Sequence, residues 1–319
     1  MPELPEVETL RRGLEHYLVG HTIVSVELSK TKQFQGDPKN IEGAKIVGVE
    51  RFGKGLVIDL DNGNSLAIHI KLTGQLVYRG PDQPPHIEVS KLKVGEVPNT
   101  ATHIIFHLSF ARHSGKRGTS ASRIGESADS GQARLAAERA RMTDSTLYYN
   151  DIRQFGWIKV VPTDEVQALP FFKELGPEFP LISGSNKLTL GKFREILGKT
   201  RVAIKPLLLD QKKMAGVGNI YSNDALYLAK IDPRRPANSL SDKEQKALFD
   251  SILTVLKKGL EEGGASELTF VNVLGEEGHY QDHSLVYGRQ GEKCKRDGTV
   301  IKKFMLGGRG TYMCSSCQK

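Results

Sequence analysis

The chain of 319 residues is 38% hydrophobic and 26% charged, which is typical of a soluble globular protein long enough for two domains. No apolar run approaches the roughly 18 residues of a membrane span, and the acidic, proline-bearing start is unlike a signal peptide, so composition argues against a membrane protein. The net charge of +8 lies entirely in residues 183–319, which carry 23 basic and 15 acidic side chains. This imbalance predicts a polyanionic partner, the alternative being a basic surface with no such role.

The first predicted element is a helix after Pro5, because Val7, Leu10, Leu14 and Leu18 share one helical face. Short runs rich in valine and isoleucine follow, separated by turn residues and without helices between them. They read HTIVSVELS, AKIVGVERF, GLVIDL, SLAIHIKL, QLVYRG, THIIFHLSF, STLYYND and GWIKVV. Such a series predicts an antiparallel sandwich or barrel.

Two stretches interrupt these strands. Residues 80–99 contain GPDQPP and are predicted to form a loop. Residues 111–146 are rich in arginine, serine, alanine and glycine, contain no aromatic residue and carry a net charge of +3. We therefore expect the second stretch to be a flexible, mildly basic insertion, with a role in gripping nucleic acid as the alternative.

Helical periodicity follows a predicted linker over residues 163–182. The longest predicted helix, within SDKEQKALFDSILTVLKKGLEEGG, begins with a capping box of Ser241 and Glu244 and ends at glycines. The closing residues 289–319 hold 8 basic and 2 acidic side chains. They predict a two-stranded ribbon flanked by cysteine knuckles.

The N-terminus carries a candidate nucleophile, since removal of Met1 would leave Pro2 with a free secondary amine. An amine at a helix start lies at the positive end of the helix dipole, which favours its neutral form. Such an amine can attack the anomeric carbon of a sugar, and the resulting iminium acidifies the C2′ hydrogens and permits elimination of phosphate. Glu3 is the adjacent acid that could open the sugar ring. The alternative is a plain helix start, where proline and acids are common.

The stretch PELPEVETLRRGL resembles the start of bacterial formamidopyrimidine-DNA glycosylases, bifunctional enzymes that excise 8-oxoguanine and ring-opened purines. Leu4 stands where the related endonuclease VIII branch usually has glycine, so the resemblance favours the purine-lesion branch. The resemblance covers nearly the whole chain apart from the insertions near 80–99 and 111–146. It implies that Pro2 is the catalytic nucleophile and Glu3 the acid.

Two further stretches match the family in the strand region. ERFGKGLVIDL places Lys54 at the position of a catalytic lysine that holds phosphate and transfers protons; without the family it would be a solvated lysine at a strand end. HIKLTGQL resembles a loop that inserts a side chain into the gap left by a flipped nucleotide. Leu72, where methionine is usual, would be this apolar wedge.

NDIRQFGW resembles the family's void-filling loop. The resemblance implies that Arg153 pairs with the orphaned base and that Phe155 stacks into the step. Gln154 replaces the usual second arginine and Ile152 the usual proline, and Ala101 aligns with a histidine that contacts DNA in relatives. The alternative is an ordinary strand turn with a core phenylalanine.

GVGNIYSNDAL resembles the family's helix-two-turn-helix element. Gly216 and Gly218 allow a tight turn, Asn219 can cap the next helix, and the free backbone N–H groups suit a DNA phosphate. The resemblance implies that Asn219 binds phosphate and that Arg201 contacts DNA. Asp224 appears where the family commonly has glutamate.

The cysteines depart from the family's ribbon, which has two C-x2-C knuckles. Cys294 and Asp297 form the first knuckle and Cys314 and Cys317 the second, so aspartate occupies one ligand position. Because zinc accepts aspartate oxygen, one Zn²⁺ per chain is expected, with a metal-free ribbon as the alternative. Having only three clustered cysteines rules out a disulfide framework and predicts a reducing cytoplasm.

Between the knuckles, GGRGTYMC places Arg309 at the tip of the ribbon hairpin. The resemblance implies that this arginine reaches the lesion phosphate and assists elimination, whereas by itself it would be an exposed turn residue. Residues 264–284 match the place of the family's lesion-capping loop.

The predicted fold class is α+β. We expect an N-terminal helix plus antiparallel β-sandwich catalytic domain over 1–162, a linker over 163–182, a helical DNA-binding domain with the helix-two-turn-helix element over 183–270, and a capping-loop region with a zinc-ribbon-like hairpin over 271–319.

The resemblance implies a bifunctional DNA glycosylase and abasic-site lyase of base-excision repair, which removes oxidised purines through a proline Schiff base followed by β- and δ-elimination. One alternative, motivated by Leu72, Gln154, Ala101 and Asp297, is a non-catalytic binder of damaged DNA. Another is the same chemistry on oxidised pyrimidines or abasic sites. The expected partner is damaged double-stranded DNA, with no membrane and no nucleotide cofactor. We expect a monomer in the bacterial cytoplasm, associated with the nucleoid.

Overall fold

The computed structural model describes residues 1–29, 31–110, 145–181 and 186–319. The predicted insertion at 111–146 lies outside these residues except for its last two, which begin a strand. Among the described residues, no helix has the length and apolar character needed to cross a membrane.

Helix α1 (Leu4–Leu18) forms as predicted, with a proline in its first turn and its apolar face turned inward. Val7, Leu10, Leu14 and Leu18 are at most 1% exposed. The Glu6 carboxylate accepts the backbone N–H of Glu3 at 2.7 Å, which closes the first turn. The helix packs against strand β3 and caps one edge of the sandwich core.

Two sheets form the N-terminal half. The strands are β1 (His21–Leu28), β2 (Phe34–Gln35), β3 (Ile46–Phe52), β4 (Gly55–Leu60), β5 (Asn64–His69), β6 (Gly74–Arg79), β7 (Thr102–Phe110), β8 (Ser145–Asp151) and β9 (Trp157–Pro162). One sheet has the order β1-β7-β8-β6 and the other β2-β9-β5-β4-β3. The pairings are antiparallel, as predicted, except that the two-residue strand β2 runs parallel to β9.

The predicted loop at residues 80–99 has no helix or strand, yet it is packed onto the molecule. Val94 is 6% exposed and shares a small apolar cluster with Val77 of β6 and Val271. The segment therefore packs between the sandwich and the chain around Val271.

The helical half contains α2 (Pro170–Lys173), α3 (Leu190–Gly198), α4 (Ile204–Leu209), α5 (Asn219–Leu228), α6 (Asp242–Glu261) and α7 (Tyr280–His283). Ser241 caps α6 through a capping box with Glu244, as predicted. Leu4 belongs to the core of this half, which ties the N-terminus to the helices.

The chain ends in the antiparallel hairpin β10 (Lys302–Leu306) and β11 (Arg309–Met313). Gly307 and Gly308 form its turn with φ of +57° and +73°, a left-handed conformation that glycine adopts without strain. The α+β fold, with a sandwich, a helical region and a terminal ribbon, is confirmed.

Candidate active site

One cavity of about 440 Å³ lies where the sandwich, the helices and the terminal hairpin meet. Its lining comes from distant parts of the chain and includes six of the nine predicted catalytic and DNA-binding residues. These are Pro2, Glu3, Lys54, Leu72, Asn219 and Arg309. The fold thus brings both ends of the chain to one site.

Glu3 is held against the start of α5. Its carboxylate accepts the backbone N–H groups of Gly218 at 2.7 Å and Ile220 at 2.8 Å. A side chain at position 218 has no room, because its Cβ would lie 2.4 Å from the Glu3 carboxyl carbon. Glu3 therefore caps α5 from the other end of the chain.

This contact corrects two predictions about the glycine-rich turn. Gly218, not Asn219, is the N-cap, and Asn219 is the first helical residue. Two of the N–H groups expected to be free for a phosphate are already bound by Glu3. The physical reason is that a carboxylate supplied by the same chain satisfies the helix start.

The pKa of Glu3 is raised from 4.5 to about 7, chiefly by burial and also by the nearby charge of Glu6. Lys54 and the Ile220 N–H favour the ionised form and limit this rise. A carboxyl group with this pKa can hold a proton near neutral pH and deliver it.

Lys54 occupies the turn between β3 and β4 and is 4% exposed. Its ammonium donates to the Val217 carbonyl at 2.9 Å, so it is not a solvated strand-end lysine. Burial lowers its pKa and the Arg309 charge adds to this effect, whereas Glu3 opposes it. Such a lysine can exchange a proton more readily than a solvated one.

The backbone amine at the chain start also borders the cavity, with Met1 in place. Burial lowers the pKa of this amine, while the carboxylates of Glu3 and Glu6 raise it. The surroundings therefore favour a neutral amine at the N-terminus.

Glu6, in the first turn of α1, is a further residue of the site that the sequence patterns do not predict. Its carboxylate accepts from the Tyr221 hydroxyl at 2.6 Å and from the Ala265 N–H at 2.7 Å. An acid in a first helical turn is normally solvated, so no local pattern indicates these partners.

Lys205 was also missed. It is fully buried, and its ammonium donates to the Asn219 side chain at 2.7 Å, Thr311 Oγ1 at 2.9 Å and the Gly310 carbonyl at 3.1 Å. Burial lowers its pKa to about 8, and the Arg309 charge contributes. The position of this lysine within the apolar run IKPLLL is the feature of the sequence that indicates its burial.

The predicted hole-filling residues lie together on neighbouring loops. The Arg153 N–H donates to Thr73 Oγ1 at 3.1 Å, which joins the Arg153 loop to the loop of Leu72. Phe155 is 58% exposed, with the Arg153 guanidinium 4.9 Å from its ring centre, so the alternative of a core phenylalanine is wrong. An exposed arginine–aromatic pair is suited to bases.

One predicted DNA contact, Arg201, and the histidine that follows the aligned position Ala101 lie away from the cavity. Arg201 is exposed before α4 and does not border the cavity. His103, two residues beyond Ala101, is buried with its Nε2 3.0 Å from the Asp151 carbonyl oxygen, so it supports the Arg153 loop from behind.

The four predicted metal ligands come together at the ribbon, with their ligand atoms all within 4.8 Å of one another. The sulfurs of Cys294 and Cys317 are 3.7 Å apart, and Asp297 oxygens lie 3.3 Å from Cys317 Sγ and 3.5 Å from Cys314 Sγ. Ligands 2.3 Å from a tetrahedral zinc ion are about 3.8 Å apart, so the donor set fits such an ion.

The N-terminal 158 residues match the family model described as the formamidopyrimidine-DNA glycosylase N-terminal domain, and residues 175–270 match the H2TH domain model of the same glycosylase. The chain belongs to the formamidopyrimidine-DNA glycosylase family. It is an enzyme of the DNA glycosylase class.

Relatives of this family align over the whole chain. The formamidopyrimidine-DNA glycosylase of Lactiplantibacillus plantarum is 35% identical over 320 residues, covering 98% of each chain. That of Pelotomaculum thermopropionicum is 36% identical over 324 residues, covering 100% of this chain and 99% of the relative.

Solved structures of the family superpose on the fold. Lactococcus lactis Fpg bound to DNA with an abasic site has a TM-score of 0.77 and 31% identity, with 99% of each chain covered. MutM bound to DNA with carbocyclic 8-oxo-G has a TM-score of 0.76 and 32% identity, with 100% of each chain covered.

Proposed function

We propose that the protein is a bifunctional DNA glycosylase and abasic-site lyase that removes oxidised purines from double-stranded DNA. The observation that carries the proposal is the cavity in which Pro2, Glu3, Lys54 and Arg309 converge. The damaged-DNA complexes of the family relatives support DNA as the partner. That the protein is a monomer, that it uses no nucleotide cofactor and that it is located in the cytoplasm remain predictions.

The proposed reaction begins once Met1 is removed. The Pro2 nitrogen attacks C1′ of the flipped nucleotide, the bond to the damaged base breaks, and the base leaves with a proton. Glu3, with its raised pKa, protonates the ring oxygen, so the sugar opens to an iminium ion.

Elimination follows from the iminium ion. Loss of a C2′ proton expels the 3′ phosphate, and a second elimination expels the 5′ phosphate, which leaves a one-nucleotide gap. Lys54, with its lowered pKa, takes and returns protons, and Arg309 holds a phosphate. Leu72, Arg153 and Phe155 fill the space vacated by the flipped nucleotide, while Asn219 and Arg201 contact the DNA backbone.

We also propose that Cys294, Asp297, Cys314 and Cys317 hold one structural Zn²⁺ per chain. The spacing of the donors supports this assignment. The ion would fix the base of the hairpin whose tip carries Arg309.

Borohydride trapping on an 8-oxoguanine:cytosine duplex tests the proposed chemistry. We expect a reduced covalent adduct that peptide mass analysis places on Pro2. A matched control with one alanine inserted between Met1 and Pro2 should give no adduct on proline, because the amine is moved. Duplex binding without any adduct, on this lesion or on an abasic site, would favour the non-catalytic binder instead.

A panel of duplexes separates the substrate alternatives. We expect release of 8-oxoguanine and formamidopyrimidines to exceed release of oxidised pyrimidines in single-turnover reactions. Faster release of pyrimidine lesions would overturn the purine assignment while leaving the Pro2 chemistry in place.

A further inference from the structure

Three carboxylates border the cavity among the described residues, and they differ in how they are used. Both oxygens of Glu3 accept backbone N–H groups, and those of Glu6 accept backbone N–H groups and the Tyr221 hydroxyl. Both side chains are at most 2% exposed. Glu267 is exposed, so its carboxylate can accept hydrogen bonds from a bound molecule.

Glu267 has a defined position on one side. Its carboxyl group lies close to the Tyr287 hydroxyl, and its Oε1 lies 3.5 Å from the place that a Cβ on Gly288 would take. The backbone of Tyr287 is fixed in turn, because its N–H donates to Asp224 at 3.0 Å. The carboxylate can accept further hydrogen bonds, and Glu267 borders the cavity.

The turn that carries Glu267 is anchored on both sides. The Ser266 N–H donates to Gln281 at 2.8 Å, and its hydroxyl donates to the Phe270 carbonyl at 2.7 Å. The Gln75 side chain donates to the Thr269 carbonyl at 2.6 Å. A side chain between such anchors loses little further freedom when a ligand binds.

The segment 80–99 supplies another anchor. The Lys93 ammonium donates to the Ser266 carbonyl and pairs with Glu277, so it spans the two arms of the 266–277 loop. Ser90 adds a hydrogen bond from its hydroxyl to Glu277 at 2.5 Å. Val94 packs beneath the same loop. This insertion therefore holds the loop that borders the cavity.

We propose that Glu267 determines base specificity by accepting two hydrogen bonds from the flipped base, and that Lys93 is the residue that positions its turn. A carboxylate offers only acceptors, so it matches a base edge with adjacent donors, such as N1–H and N2–H of guanine-derived lesions. Thymine-derived lesions present one donor between two carbonyl oxygens and fit it poorly. This inference rests on the proposed function and names its substrate class.

Single-turnover base release from two lesions tests the role of Glu267. 8-Oxoguanine has the N2 amino group, whereas 8-oxohypoxanthine lacks it and is otherwise the same. We expect the wild type to release 8-oxoguanine about 10-fold faster or more, and Glu267→Gln to release both at rates within about twofold. Glu261→Gln, an exposed change at the end of α6, is the control and should behave as wild type.

Cleavage of a preformed abasic site by the same variants separates the outcomes, because that substrate has no base to read. Glu267→Gln should cleave it within about twofold of wild type. Equal loss of base release and abasic cleavage, or an unchanged preference for 8-oxoguanine, would overturn the inference. A wild type inactive on every substrate would instead refute the proposed function, and the inference with it.

Lys93→Met tests the positioning role. Hydrogen exchange in residues 266–277 should increase, and 8-oxoguanine release should fall several-fold while abasic cleavage is kept. Lys93→Arg, which retains the charge and donors, should restore much of the release rate. Normal release with a loosened loop would show that Lys93 has only a structural role.

Discussion

The two ends of the chain are held in different ways. At the N-terminus, Glu3 and Glu6 are satisfied by N–H and O–H donors from the protein itself, at 2.6–2.8 Å. At the C-terminus, three cysteines and Asp297 direct their ligand atoms at one another within 4.8 Å. The first arrangement is complete without a ligand, whereas the second gathers groups that a cation would hold together.

Lys205 joins the two ends. Its ammonium contacts Asn219 at the start of α5, the helix that Glu3 caps, and Gly310 and Thr311 beside Arg309 of the hairpin. Catalytic groups that depend on both ends therefore depend on one buried cation. A substitution that disturbs either end of the chain should therefore also disturb the cavity that both ends border.

The largest expected effect is that of Glu3→Gln on base release. Loss of a positioned acid should lower the single-turnover rate by about 10²–10⁴-fold, because glutamine cannot supply a proton. The wild-type rate should also fall as pH rises past about 7, where Glu3 loses its proton. Rates of base release between pH 5 and 9 measure both effects.

Glu15→Gln, on the exposed side of α1, is the control for this change. A Glu3→Gln rate within about tenfold of the control would mean that Glu3 is only the cap of α5. The N-terminal end would then have a structural role only, as the ribbon has.

Metal removal should have the next largest effect. We expect one zinc ion per chain by mass spectrometry, and chelation should weaken duplex binding by about tenfold or more because the hairpin loses its base. Hydrogen exchange should rise in residues 294–317 and stay low in α1. Asp297→Ala should lose the ion, and Asp297→Cys should retain it more strongly.

A metal-free wild type whose ribbon is as protected as α1 would contradict this prediction. Both ends of the chain would then be stable without a bound ion, and the alternative of a metal-free ribbon would be right.

How far the sequence predicts this molecule depends on the distance between partners. The helix α1, the strand periodicity and the Ser241 capping box rest on neighbouring residues and are confirmed. The contact of Glu3 with Gly218 joins residues 215 positions apart, so no local pattern reveals it. For the same reason the prediction that Asn219 caps α5 was wrong.

The predicted site depended on a family resemblance more than on spacing. Lys54 taken alone would be assigned to solvent, yet it is buried with a carbonyl partner. Glu6 and Lys205 were missed because acids in first turns and lysines in helices are usually solvated. Their burial arises from packing between the two halves, which the sequence does not display.

Lys205→Met tests whether the two ends depend on each other, because it removes the link and leaves both ends intact. The Gly310 carbonyl and the Thr311 hydroxyl would lose a buried donor, at a cost of about 1–3 kcal/mol. We expect strand cleavage to fall about tenfold and the melting temperature to fall by a few degrees. Lys212→Met, at an exposed lysine paired with Glu174, is the control. Unchanged cleavage would mean that the two ends act independently.

The smallest effect concerns the pH dependence of stability. The pKa of Glu3 is about 7 in the folded protein and 4.5 ordinarily, so the folded state binds this proton more tightly than the unfolded state. The resulting stabilisation is complete below pH 4.5 and is lost as pH rises through 7. A glutamine side chain does not titrate, so the melting temperature of Glu3→Gln relative to wild type should rise by a few degrees between pH 5 and pH 8. If the melting temperatures of the two proteins change in parallel with pH, the N–H donors at the start of α5 offset the burial of Glu3 completely. The hydrogen bonds of the N-terminal end would then stabilise its ionised carboxylate fully, in contrast to the ribbon, whose ligand atoms need a cation.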